Sequence, residues 1–229
     1  MKAEVSTNYS GSLDYWFSKF QWLGFLNIND YPVIMIFWNL FLLLVPFFCV
    51  QSLLKLYSRT GFQKAYQKVA GIFLFLLWVL FFPNAPYIMT DLRHISGYCP
   101  GADFTRVCPG EAWIIPVFFL YSILGWIAFV YLLNQMRGFL KTWKREKLSA
   151  FFPALIIPLV SLGVLLGLLN RFNSWEIFSR PLEIFQASVA YFTDWVYFRN
   201  WLIFTLGLYI LYFIGNKLFS FGRTGSHQR

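Results

Sequence analysis

FFPNAPYIMTDLRH, Phe81–His94, begins as the end of an apolar run and finishes with an acid, a base and an imidazole. Two prolines flank one asparagine in its middle. Proline has no N–H, and its ring disfavours helix in the residue before it. Pro83 is therefore expected to stop a helix near Phe82, and Pro86 to hold Ala85 extended, with Asn84 caught between them. Non-helical backbone at bilayer depth is tolerated only where protein buries it or it lines a wet cavity. Asn84 is expected to bond the freed backbone groups. Thr90 or Asp91 is expected to cap a short segment carrying Arg93 and His94. A simple turn is the plainer alternative.

The rest of the chain explains why bilayer depth matters. Of 229 residues, 58% are hydrophobic and 13% charged, with 28 Phe, 13 Tyr and 10 Trp. Soluble domains carry about 25% charged residues. A multi-pass, all-α membrane protein is the reading that fits. The start, MKAEVSTNYSGSLDYWF, has no apolar core followed by a small-residue cleavage site, so no cleavable signal is expected.

Five apolar runs stand out, roughly Tyr31–Leu54, Val69–Phe82, Ala112–Gln135, Leu148–Leu169 and Asn200–Phe219. Four of them have about 20 to 24 residues, enough to cross about 30 Å of hydrocarbon. The second has about 14, or about 21 Å of helix. Either Lys64 and Lys68 snorkel so that its helix starts earlier, or PNAPYIM completes the crossing. Leu13–Ile28 and Pro181–Arg199 mix aromatic and charged residues and are expected to lie in the interface, or to cap the bundle. The expected organisation is an interfacial segment 1–30, a single helical membrane domain 31–219 with outer loops 83–111 and 170–199, and a polar tail 220–229. Pro46, Pro116, Pro153 and Pro158 are expected to kink their spans.

Net charge is +9. Lys55, Arg59, Lys64 and Lys68 follow the first run, Arg137, Lys141, Lys144, Arg145 and Lys147 the third, and Lys217, Arg223 and Arg229 the fifth. Short basic loops stay in the cytoplasm. The N-terminus is then outside and the C-terminus cytoplasmic, in a cell inner (plasma) membrane, with two long loops facing out. The basic residues suit membrane orientation and anionic lipid, not nucleic acid.

In the first outer loop, GYCPGADFTRVCPGE suggests a disulfide between Cys99 and Cys108. The alternative is two free thiols; a metal site lacks a second Cys or His pair. Cys49 falls inside a span, as packing. In the second outer loop, NRFNSWEIFSRP follows the fourth run. Asn173 and Glu176 have capping-box spacing, with Pro181 ending the short helix. Upstream, Gly163 and Gly167 form a GxxxG pattern that allows close helix contact.

The polar residues of these two segments make the candidate site. Asp91 and His94 are three apart, on one face if helical. With Glu176 they suggest an acid–base set, so Asp91, His94 and Glu176 are the catalytic candidates. A metal ion is not expected, nor any cofactor. The preferred ligand-binding set is Asn84, Tyr87, Asp91, His94, Arg171, Asn173 and Trp175. Arg171 and His94 would contact an anion, Asn84 and Asn173 would hold the backbone, and Asp91 would orient His94 or pair with Arg171.

The two motifs together, LFFPNAPYIMTDLRH and GVLLGLLNRFNSWEIFSRP, resemble a bacterial family of multi-pass membrane proteins known as domain of unknown function 1361. The likeness spans roughly Ile34 to Pro181. The residues that carry it are Pro83, Asn84, Ala85, Pro86, Tyr87, Thr90, Asp91, Leu92, His94, Gly167, Arg171, Asn173, Ser174 and Trp175. Leu168 stands where the family offers a second Arg, Phe172 replaces a Trp and Glu176 an Asp. The missing Arg weakens a paired-arginine phosphate clamp. The resemblance implies a membrane location and leaves chemistry open.

The reading is a helical membrane bundle whose outward polar cluster binds a polar or anionic headgroup or a small ligand. Its partners would be membrane lipids or a membrane protein. The rivals are a hydrolase or transferase on lipid-linked substrates, and a structural or assembly subunit of an envelope complex. A transporter is disfavoured by five spans without a repeat.

Overall fold

The computed structural model describes residues 27–28, 31–95 and 112–224. The chain divides into two units, Met1–Leu40 and Phe41–Arg229. In the first, strands β1 (Asn27–Ile28) and β2 (Tyr31–Pro32) pair antiparallel, and helix α1 (Val33–Thr60) begins. The expected interfacial helix Leu13–Ile28 lies outside the described residues except for Asn27 and Ile28, which stand in β1.

The second unit is helical. After α1 come α2 (Ala65–Phe81), α3 (Asn84–Thr90) and a 3-10 turn, Asp91–Ile95. Then follow α4 (Ile114–Thr142), α5 (Glu146–Leu169), a second 3-10 turn, Ser174–Ile177, α6 (Pro181–Thr193) and α7 (Trp195–Thr224). Five stretches are long and apolar enough to cross a membrane: Ile34–Thr60, Ala65–Arg93, Ile114–Thr142, Glu146–Leu169 and Trp195–Phe219. Both routes to a full second span operate. Helix starts at Ala65, four residues before the apolar run, and PNAPYIMT continues it as α3.

That continuation corrects the expected backbone. The interruption is a two-residue turn at Phe82–Pro83, not an extended segment. Phe82 (φ −60°, ψ −34°) and Pro83 (φ −56°, ψ −22°) keep helical angles, and Ala85 lies inside α3. Pro86 stands near the start of that helix, where a missing N–H is tolerated. Residues 84–95 are therefore helical rather than part of an outer loop. Thr90 does not cap forward: its hydroxyl donates back to the Tyr87 carbonyl (2.7 Å).

Two other boundaries move. Arg137 and Lys141 belong to α4, not to the loop after it. Pro181–Arg199 divides into α6 and the first turn of α7. Asp194 makes that division: its backbone is extended, and its carboxylate accepts from the amides of Val196 (2.7 Å) and Tyr197 (3.4 Å), an N-cap. Pro46, Pro153 and Pro158 lie inside continuous helices.

An aromatic series runs through the core. Trp78 stacks on Phe82 (4.3 Å between centroids), Phe82 on Phe129 (5.6 Å), and Phe129 meets Tyr212 edge-on (6.4 Å). Trp78, Phe82 and Phe129 are fully buried, which joins α2, the proline turn and α4 in one packed unit. Each such ring pair adds about 0.5–1.5 kcal/mol beyond burial. At one end of the bundle, Phe62 of the α1–α2 turn packs on Phe139 and Trp143 at the end of α4. The Tyr57 hydroxyl donates to the Thr142 carbonyl there (3.2 Å). The two lysine- and arginine-rich turns thus share one end, and the PNAPY helix lies toward the other.

Candidate functional site

The two sequence motifs meet. In α5, Gly163 and Gly167 stand one turn apart and face Pro83 and Tyr87, which are also one turn apart. A Cβ on Gly163 would come within 2.8 Å of the Pro83 ring, and one on Gly167 within 3.3 Å of the Tyr87 ring. From the other side, Gly125 of α4 presses on α3. A Cβ there would lie 2.8 Å from the Ala85 carbonyl oxygen and 2.9 Å from the Ile88 Cβ. Three glycines on two helices therefore seat α3, because only a bare backbone permits that approach.

Asn84 joins the motifs directly. Its Nδ2 donates to the Phe81 carbonyl (2.9 Å) and to the Ser174 hydroxyl (3.3 Å). The first bond repairs the turn. The Ala85 amide, which in a regular helix would bond Phe81, bonds the Phe82 carbonyl instead (3.0 Å). That takes up the carbonyl which Pro86 has no N–H to reach, and the Asn84 amide takes the one left behind. The second bond crosses to the NSWE segment.

Around this junction the charged groups sort into two kinds. Glu176 is buried, and both its oxygens are engaged: Oε2 accepts from the Asn173 amide (2.7 Å), closing the capping box, and Oε1 accepts from the Arg180 guanidinium. Arg180 also lies over the Phe172 ring (5.5 Å) and reaches Glu183 (3.5 Å). The Glu-x-x-x-Arg spacing of 176 and 180 was the available signal for this ion pair, and the sequence reading passed it over. Phe172 thus places an aromatic face under the arginine.

Arg171 is different. It is exposed, stands at φ +61° after α5, and makes no hydrogen bond or ion pair among the described residues. The expected pairing with Asp91 is therefore not formed. The left-handed turn ends α5, with the Phe172 amide reaching back to the Leu166 carbonyl (3.2 Å). Phe62 (φ 55°) and Lys144 (φ 58°) do the same at other helix ends, so the conformation belongs to capping. Arg171, Arg93 and Asp91 all lie close enough to act electrostatically on Tyr87.

Asp91 is 1% exposed and opens the 3-10 turn. His94 follows in that turn, but its side chain is outside the described residues, as are Cys99 and Cys108. Asn173, Ser174 and Trp175 are half-buried. No cluster of three metal-binding side chains occurs among the described residues. Sequence reasoning also missed Asn170 and Tyr191. The Tyr191 hydroxyl on α6 donates to Asn170 Oδ1 (3.2 Å), and burial with Tyr197 nearby pushes its phenol up to about 12.

Comparison with curated proteins and with solved structures finds no match. A family model described as protein of unknown function (DUF1361) matches residues 38–214, extending beyond the expected likeness to take in α6 and most of α7. With the two motifs seated on each other inside that range, the chain belongs to the DUF1361 family of proteins of unknown function.

Proposed function

We propose that this protein binds a polar or anionic headgroup, or a small anionic ligand, at the junction of α3 with the NSWE segment. Arg171 carries the reading: it is an exposed guanidinium without an ion pair among the described residues, close enough to Tyr87 to act on it electrostatically, as Arg93 also does. A guanidinium fork matches phosphate and carboxylate oxygens. Asn84 and Ser174 hold the two motifs in register behind it. Glu176 and Arg180 neutralise each other and brace the segment.

The junction faces outward in the proposed arrangement, with the C-terminus cytoplasmic and the protein in the plasma membrane. The gathering of both basic turns at the opposite end of the bundle supports this. Helix α6 supports an interfacial position. Leu182, Phe185, Val189 and Phe192 are exposed along one stripe, while Ile184 and Tyr191 pack toward Leu165 and Leu166.

The test uses the full chain with Ser174→Cys in a background lacking native cysteines. A membrane-impermeant maleimide applied to intact cells should label it, and glycerol phosphate should slow labelling. Arg171→Gln should remove that protection. Labelling that glycerol phosphate never slows contradicts the binding site. Labelling only after permeabilisation contradicts the orientation.

A further inference from the structure

A second polar cluster lies at the other end of the bundle. Arg137, inside α4, donates from Nε to the Ser149 carbonyl (3.1 Å) and from Nη1 to the Tyr212 hydroxyl (2.6 Å). Tyr212 donates on to Asn134 Oδ1 (3.0 Å), and the Asn134 amide to Asn216 Oδ1 (3.0 Å). The Ser149 hydroxyl returns to the Arg137 carbonyl (2.9 Å). Ser149 is fully buried and Tyr212 is 1% exposed. The guanidinium is therefore held by α5 and α7 together, in one orientation.

Every partner in that hold is neutral. Among the described residues no carboxylate forms an ion pair with Arg137, and its Nη2 bonds no protein acceptor. A half-buried guanidinium at the edge of an apolar layer is costly unless an anion meets it. The α4 helix of 29 residues is about 43 Å long, more than the roughly 30 Å of hydrocarbon, so its last turns reach headgroup level. Lys141 follows one turn later, and Lys144, Arg145 and Lys147 come next. Such a run draws anionic lipid to this face, and the Nη2 group left unbonded can donate a charge-assisted hydrogen bond to one phosphate.

We infer that Arg137 is a phosphate-binding site for an anionic lipid headgroup, in the leaflet on the side of the Lys141–Lys147 segment. Its depth on a spanning helix favours a lipid phosphate over a soluble one. This site is independent of the Arg171 junction and of the orientation of the chain.

The test is native mass spectrometry of the full chain from nanodiscs of equal phosphatidylglycerol and phosphatidylcholine. Wild type should retain phosphatidylglycerol about ten-fold over phosphatidylcholine, the scale of one charge-assisted bond. Arg137→Gln should abolish the preference, and Arg137→Lys should keep part of it. Because Arg137→Gln also removes a donor from Ser149, a second variant leaves the cluster intact: Lys141, Lys144, Arg145 and Lys147 all changed to Gln. Retained preference there supports the site, and its loss overturns it in favour of diffuse charge. Inorganic phosphate in pure phosphatidylcholine nanodiscs distinguishes the sources. No Arg137-dependent response leaves the lipid as the occupant and supports the inference, while stabilisation that Arg137→Gln removes overturns the lipid assignment. Equal phosphatidylglycerol retention by wild type and Arg137→Gln overturns the site.

Discussion

Two groups of prolines in this bundle, Pro83 with Pro86 and Pro153 with Pro158, leave carbonyls without their helical donors, and these carbonyls are bonded in different ways. At Phe82–Pro83 the repair is local. Ala85 bonds the Phe82 carbonyl in place of Phe81, and Asn84 turns its side-chain amide onto Phe81. In α5 it is tertiary. Pro153 cannot bond the Ser149 carbonyl four residues earlier, and Arg137 of α4 does so. Pro158 cannot bond the Ala154 carbonyl, and the Tyr209 hydroxyl of α7 does so (2.8 Å). The Trp201 indole adds a bond to the Pro158 carbonyl (3.0 Å). A broken helix in lipid must find its donors somewhere. A polar residue within one turn lets the break form a self-contained corner. Where the nearby hydroxyls bond to other helices, as those of Ser149 and Ser161 do, the prolines tie three helices together.

The largest expected effect breaks the seat of the local corner. Gly125→Val drives side-chain atoms into the Ala85 carbonyl and Ile88, and should destabilise the protein by about 3 kcal/mol. Unfolding in a graded detergent mixture measures it. Gly138→Val on the same helix, where a Cβ meets nothing, is the control.

The next effect asks whether the corner depends on Asn84. Asn84→Leu strands the Phe81 carbonyl and removes the Ser174 bond, for a loss of about 1–2 kcal/mol. Ser174→Ala removes only the cross-motif bond and should cost less. Equal losses would mean that the local repair contributes nothing.

The tertiary repair has a sharper test. Tyr209→Phe should cost about 1 kcal/mol by leaving the Ala154 carbonyl unbonded. In a Pro158→Ala background the restored amide takes that carbonyl, so Tyr209→Phe should then cost almost nothing. A loss independent of Pro158 would separate the tyrosine from the proline.

How much of this was legible follows the same division. The break at Pro83, the role of Asn84 and the Asn173–Glu176 box each involve residues within three positions, and each could be read from spacing. The five spans followed from hydropathy. The continuation of helix through Asn84–Thr90 was missed, because a proline in the first turn of a new helix lacks only an N–H that has no use there. The duties of Arg137 and Tyr209 were invisible, because their partners lie on other helices. Arg137 looked like a loop charge, since polarity alone does not say that a helix carries on past its apolar run. That Gly163 and Gly167 pack was expected; that they pack on Pro83 and Tyr87 needed the fold.

The smallest effect sits in α6, beside the NSWE end of the bundle. Tyr191 keeps its proton to about 12, above its ordinary 10. Below pH 10 the phenol is neutral in both folded and unfolded chains, so it adds no pH dependence. As pH rises from 10 to 12 the unfolded chain ionises first, and stability falls, by about 1 kcal/mol near pH 11. Tyr191→Phe should lack that fall in an alkaline unfolding series.

The seating of one motif on the other is tested most directly by cross-linking Pro83→Cys to Gly163→Cys in membranes, without the native cysteines. A Cβ on Gly163 would lie 3.1 Å from the Pro83 Cβ, short of the roughly 3.5–4.5 Å of a disulfide, so a shift of a few tenths of an ångström brings the pair into bonding range. Rapid, near-complete disulfide formation under mild oxidant is the predicted result. Failure to form it, while Ile88→Cys and Gly125→Cys do cross-link, would contradict the junction.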